Sequence, residues 1–167
     1  HFWARVLRQS RCSGSGPFHV GVDRGHGAAG VFVALGAIGI DLGGHKTAAA
    51  LVENGRVVQR LTEPTPGREP DDVTSQVAKM ARILGAGPEC PVGVGIPGML
   101  DTLRETALLL PNFSGWNNLP VRKILSAKIG LPVEIENDAN CYALGEGWGG
   151  AAAGLTDYVL FTLGTGI

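Results

Sequence analysis

The sequence predicts an α/β protein whose sheet carries its functional residues at strand ends. Three observations point there. Short apolar runs recur between glycines, the mark of buried strands. Stretches of helical period separate the later runs, which implies parallel strands joined by crossovers. Finally, residues 38–47 read Ile-Gly-Ile-Asp-Leu-Gly-Gly-His-Lys-Thr, a strand that ends in a carboxylate, two glycines, a cation and a hydroxyl.

Composition bounds the function. The 167 residues are 44% hydrophobic and 17% charged, enough for one cored domain and the start of another. A net charge of −1 gives no reason to expect nucleic acid or an anionic membrane as partner. Cys12, Cys90 and Cys141 are too far apart for a metal cluster or a disulfide set, which fits a reducing, cytoplasmic compartment. The chain opens on His1 and stops at Ile167 after a Gly-Thr-Gly turn, and it reads as an N-terminal fragment.

Residues 1–36 are Arg-, Ser- and Gly-rich and are expected to be a disordered or artefactual extension; their apolar stretch is too broken for a signal core. The main α/β domain is expected over 37–150. Its first strands are placed at 37–41, 47–53 and 56–62, with Asn54-Gly55 supplying the positive-φ pair of a tight hairpin. A first helix over 71–84 has Val73, Val77, Met80, Ala81 and Leu84 on one face, with Gly85 and Gly87 stopping it. Residues 91–96 are wholly apolar or glycine, hence a central parallel strand that Pro97-Gly98 turns. A short strand at 108–110 precedes a polar loop, 111–116, whose Phe113 and Trp116 are expected to pack inward. A second helix contains Val121, Ile124, Leu125 and Ile129 and closes at Gly130. A strand at 133–136 hands over through Asn137-Asp138 to a third helix at 139–146. Residues 151–167 are expected to open a second, similar domain, with a strand at 158–163 restarting the opening pattern.

The order β-β-β-α-β-α-β-α is the arrangement of the actin-like ATPase (ribonuclease H-like) domain, whose ligands sit at carboxyl ends of strands. Asp41, Gly98, Asn137 and Asp138 all fall there. Gly43 and Gly44 permit a sharp turn near an anion, Lys46 adds positive charge, and Asp41 offers a hard oxygen to magnesium. A tight hairpin with a surface lysine is the bland alternative. Asp138 suits proton acceptance from an attacking hydroxyl. It or Asn137 also suits a helix N-cap, and the two roles need not share a residue.

Residues 38–46, Gly95-Ile96-Pro97-Gly98, Pro111-Asn112-Phe113 with Gly115-Trp116, Glu136-Asn137-Asp138-Ala139-Asn140 and Leu163-Gly164-Thr165-Gly166 resemble the ordered motifs of the ROK family of sugar kinases and sugar-responsive repressors. The resemblance covers residues 37–167, and its nearest branch is the glucokinases. It implies an ATP-dependent hexose kinase of two α/β domains, with glucose as leading substrate and Asp138 as general base. It further implies sugar contacts from Asn112, Asn137, Asp138 and Gly98. Phosphate loops would be built from Asp41, Gly43, Gly44, His45, Lys46 and Thr47, and from Gly164, Thr165 and Gly166. Asp41 resembles the residue that holds magnesium through water. His45 departs from the threonine of most relatives; its imidazole either donates to a phosphate oxygen or points to solvent. Any zinc site would follow Ile167, and a homo-oligomer of the full-length protein is compatible with the family. The resemblance also leaves two alternatives: a sugar-sensing regulator, which would need a longer N-terminal DNA-binding segment than 1–36, and another phosphotransferase of the same fold. The chain as it stands is expected to be inactive alone, with Val159, Leu160, Phe161 and Leu163 an exposed apolar edge.

Overall fold

The computed structural model describes residues 36–111 and 113–163. Seven strands and three helices follow one another: β1 (Ala37–Leu42), β2 (Lys46–Glu53), β3 (Arg56–Pro64), α1 (Pro70–Ile83), β4 (Val92–Ile96), β5 (Met99–Leu100), β6 (Ala107–Leu109), α2 (Val121–Ile129), β7 (Val133–Asn137) and α3 (Asp138–Gly149). The main sheet has the order β3-β2-β1-β4-β7. Its first three strands form an antiparallel meander, and β4 lies parallel between β1 and β7. This is the expected ribonuclease H-like arrangement, with β4 central.

Local chemistry explains the boundaries. Asn54 and Gly55 both adopt positive φ, 49° and 76°, so the β2–β3 hairpin closes without strain. Pro70 opens α1, where its missing N–H costs nothing, and Asp71 and Asp72 sit favourably in the first turn. Gly130 ends α2 in the left-handed conformation, φ 83°.

Register assigns the two faces of the sheet. Ile38, Ile40 and Leu42 of β1 share a side with Val92, Val94 and Ile96 of β4 and with Val133 and Ile135 of β7. All are buried, and α1 contributes Val73, Val77, Met80 and Ala81 to the same core. Phe113 and Trp116 join that core, as expected; their rings meet edge to face at 5.5 Å, and Trp116 Nε1 donates to the Arg68 carbonyl at 3.1 Å. The other side of the strands carries Gly39 and Asp41, Gly93 and Gly95, and Glu134 and Glu136. Here α3 packs on β4 and β7, and a Cβ on Gly95 would lie only 3.4 Å from Cys141 Sγ. Small residues on this face let the helix start close to the sheet.

Two expectations require correction. The strand at 108–110 is instead β6, Ala107–Leu109, and it pairs with β5 in a hairpin that period-2 reading of three residues could not reveal. The strand expected at 158–163 does not form over its described residues. Among the described residues no strand offers it a ladder, and an isolated strand leaves its backbone groups unpaired. Of the four residues of the expected apolar edge, Val159, Phe161 and Leu163 are strongly exposed, whereas Leu160 is half-buried. No helix among the described residues is long and apolar enough to cross a membrane.

Candidate active site

Three strand ends meet at one end of the sheet. Asp41 closes β1, Gly98 follows β4 through Pro97, and Asn137 with Asp138 forms the β7–α3 junction. A cleft of about 230 Å³ lies here, lined by Ile40, Asp41, Gly93, Gly95, Asp138, Cys141, Tyr142, Gly145 and Glu146. Gly93 and Gly95 of β4 and Gly145 of α3 leave the room for it. A shallower depression around Gly85–Cys90 adjoins the opposite ends of the strands and contains none of the expected site residues.

The junction separates capping from chemistry. Asn137 is the N-cap of α3: its Oδ1 accepts from the Asn140 N–H at 3.1 Å, and its Nδ2 donates to the Gly98 carbonyl at 3.0 Å. Both ends of the amide therefore hold architecture together, tying the Pro97-Gly98 turn to the helix. Asp138 lines the cleft; its Oδ1 accepts from the Ala139 N–H at 2.8 Å, while its Oδ2 has no hydrogen-bond partner among the described residues. Gly98 is obligatory: it sits at φ 92°, and a Cβ there would lie 2.3 Å from the Leu109 carbonyl.

Asp41 is held from across the cleft. Tyr142, in the second turn of α3, donates its hydroxyl to Asp41 Oδ2 at 2.9 Å. Burial pushes the Asp41 carboxyl above its ordinary range, the Tyr142 hydrogen bond pulls it down, the charge of Asp138 pushes it up again, and Lys46 pulls it down. The same hydrogen bond and negative charge, with burial, raise the Tyr142 phenol to about 12. Cys141 lies beneath, its thiol raised to about 12 by burial and then by Glu136, Asp138 and Asp41. It is a protonated packing group, not a nucleophile. Asp41 has one carboxylate oxygen committed to Tyr142 and the other to offer. Among the described residues no group of three His, Cys, Asp or Glu side chains could hold a metal. A single carboxylate of this kind fits magnesium that keeps its own waters.

The first phosphate loop differs in detail from the sequence expectation. The Gly43 N–H donates to the Lys46 carbonyl at 3.1 Å, so it closes the turn and is not free for an anion. A Cβ on Gly43 would lie 2.6 Å from that carbonyl, whereas Gly44 has open space around it. Thr47 is fully buried, which corrects its assignment to phosphate. Strand alternation places it with Leu42 and Ala49 on the core face, opposite Asp41. Its hydroxyl meets that of Thr65 at 3.1 Å, and Thr65 donates to the Gly43 carbonyl at 2.7 Å. The pair braces the turn from below. Lys46 and His45 are exposed, and Lys46 lies on the Asp41 face. Asn112, Gly164, Thr165 and Gly166 lie outside the described residues.

Sequence reasoning missed three groups. Glu136 is buried and accepts from the Asn137 N–H at 3.0 Å, from Asn140 Nδ2 at 3.1 Å and from Arg104 Nε. Arg104 itself lies in no motif, and neither does Tyr142. The alternation Val133, Glu134, Ile135, Glu136 was the available signal, since it places two carboxylates on one strand face.

Residues 37–167 match the model of the ROK family. Glucokinase of Thermotoga maritima is 40% identical over 138 residues, covering 80% of this chain and 43% of that protein. The xylose repressor of Caldicellulosiruptor bescii is 41% identical over 76 residues, 46% of this chain and 19% of that protein. The solved structure of a ROK family glucokinase from Streptomyces griseus, in complex with glucose and AMPPNP, superposes with a TM-score of 0.66 at 34% identity, covering 71% of this chain and 38% of that one. The chain thus spans less than half the length of these relatives. With the match running unbroken from β1 past α3, through every strand end that lines the cleft, the chain belongs to the ROK family.

Proposed function

We propose that this chain supplies the sugar-binding and proton-accepting half of an ATP-dependent hexose kinase, with the 6-hydroxyl of glucose as leading acceptor. The observation that carries the reading is the division of labour at the β7–α3 junction. Asn137 takes the capping duty, which leaves Asp138, a residue of the cleft lining, with an Oδ2 that has no hydrogen-bond partner among the described residues.

Asp138 accepts the proton of the attacking hydroxyl as the oxygen bonds to the γ-phosphorus; the bond to the β-phosphate oxygen breaks and ADP leaves. Asn112 and Gly98 orient the sugar, and Asn137 fixes the turn from which Asp138 projects. Lys46, the Gly44 region and His45 lie on the phosphate side, joined by Gly164, Thr165 and Gly166. Asp41 would hold hydrated magnesium, which neutralises charge developing on the phosphates. Tyr142 keeps the Asp41 carboxylate aimed across the cleft.

The test is a coupled assay of the full-length protein with ATP, magnesium and a panel of hexoses. Hexose-dependent ADP release is expected, led by glucose. Its absence across the panel would end the reading. A second reading follows from the repressor similarity: a sugar sensor that binds without turnover. Calorimetric sugar binding with no ATP consumption would select it.

A further inference from the structure

The β5–β6 hairpin grips the β7–α3 junction at two points, and the second of them has no part in the proposed chemistry. The first is Gly98, just before β5, whose carbonyl accepts from Asn137 Nδ2 at 3.0 Å. The second is Arg104, in the turn between β5 and β6. Its backbone is left-handed, φ 55°, where a residue other than glycine, asparagine or aspartate is uncommon and some strain is stored. From that position its Nε donates to Glu136 Oε2. The Glu136 side chain is only 8% exposed, whereas that of Arg104 is 42% exposed. A carboxylate so buried requires a charge partner and filled hydrogen bonds. Arg104 supplies the first. The Asn137 N–H and Asn140 Nδ2 fill the remaining oxygen.

The consequence lies in the spacing. Glu136 is two residues before Asp138 and Asn140 two residues after, so one buried carboxylate bridges both flanks of that residue. We propose that Arg104 is a positioning residue for Asp138, acting through Glu136. The hairpin is then a clamp that fixes where the proton-accepting carboxylate points. This rests on the reading of Asp138 as general base. The chain after the hairpin is itself fixed, since Phe113 is anchored in the core. An ion pair serving stability alone would not need a strained backbone to present it, nor would it meet both sides of the Asp138 turn through one carboxylate.

The test compares wild type, Arg104→Gln and Glu136→Gln in the full-length protein. Misplacing a catalytic group by about 1 Å costs roughly 10²-fold in rate. For Arg104→Gln we expect kcat to fall by roughly 10- to 100-fold, with KM for the hexose within about twofold of wild type. The backbone amide resonance of Asn137 and the side-chain amide of Asn140 should shift. Glutamine keeps a side-chain donor for Glu136, and Glu136→Gln, which removes the buried charge itself, remains the readout if the unpaired carboxylate destabilises Arg104→Gln. The double variant should be no worse than the poorer single one, since both remove the same link. Unchanged kcat, or a fall matched by lost folded protein with both amide resonances unmoved, would overturn the proposal. If wild type turns over no hexose, the general-base reading fails, and the two amide resonances alone decide whether the clamp exists: shifted supports it, unmoved overturns it.

Discussion

The two faces of the main sheet are built from the same strands by opposite rules. On one face, alternating Ile and Val from β1, β4 and β7 meet a helix, α1, in which seven residues are buried. On the other, the alternate positions are Gly, Asp and Glu, and the covering helix, α3, has no fully buried residue. The first face stabilises the domain by burying apolar area, worth roughly 25 cal/mol per Å². The second keeps space and charge at the strand ends. One sheet therefore separates folding from chemistry by the pleat alone, and a substitution should act according to the face on which it falls.

The sharpest break of that comparison is Asp138→Asn. It keeps the shape of the first turn of α3 but removes the base, so kcat should fall by about 10²–10⁴ while hexose binding and thermal stability persist. Near-normal turnover in a coupled assay would remove Asp138 from the mechanism. On the opposite face, Met80→Ala opens a cavity at a position with 0% exposure. It should cost about 2–5 kcal/mol in chemical denaturation, with kcat per folded molecule unchanged.

Asn137→Ala probes the boundary between the two rules. Loss of the cap should cost about 0.5–2 kcal/mol, and loss of the tie to Gly98 should lower kcat as well. A variant that loses stability alone would place Asn137 wholly with the architecture. The smallest effect is expected from Tyr142→Phe. The Tyr142 phenol is raised from 10.0 to about 12, so the folded state favours its protonated form. The stability difference between wild type and variant should be constant below pH 10 and shrink as pH climbs towards 12. Denaturation midpoints at stepped pH would show it, and a flat difference through that window would mean that the hydroxyl does not bond Asp41.

Much of the core face was legible in the sequence because apolar periodicity reports burial directly. Val73, Val77, Met80 and Ala81 fell on one helix face in the reading and in the fold. Asn54-Gly55 and Gly130 were legible because left-handed backbone restricts residue choice. The site face was legible only where a motif marked it, at Asp41, Gly98 and Asn137-Asp138. Thr47 was misassigned because its neighbours Gly43, Gly44 and Lys46 suggested a shared anion, whereas the pleat turns it to the core. Tyr142 and Asp41 are 101 positions apart, and Arg104 and Glu136 are 32 apart. Such pairs have no local period, so only the folded register brings them into view. The strand expected at 158–163 failed for a related reason: its apolar pattern reports what a segment can bury, not whether a partner strand lies beside it.

The most direct measurement is a crystal structure of the full-length protein with glucose and a non-hydrolysable ATP analogue. The account predicts a sugar hydroxyl within about 2.6–3.2 Å of an Asp138 carboxylate oxygen, in line with the γ-phosphate, with the Asn137 cap and its bond to Gly98 intact. A sugar bound with that hydroxyl remote from Asp138, or Asp138 turned away to cap α3 in place of Asn137, would contradict it.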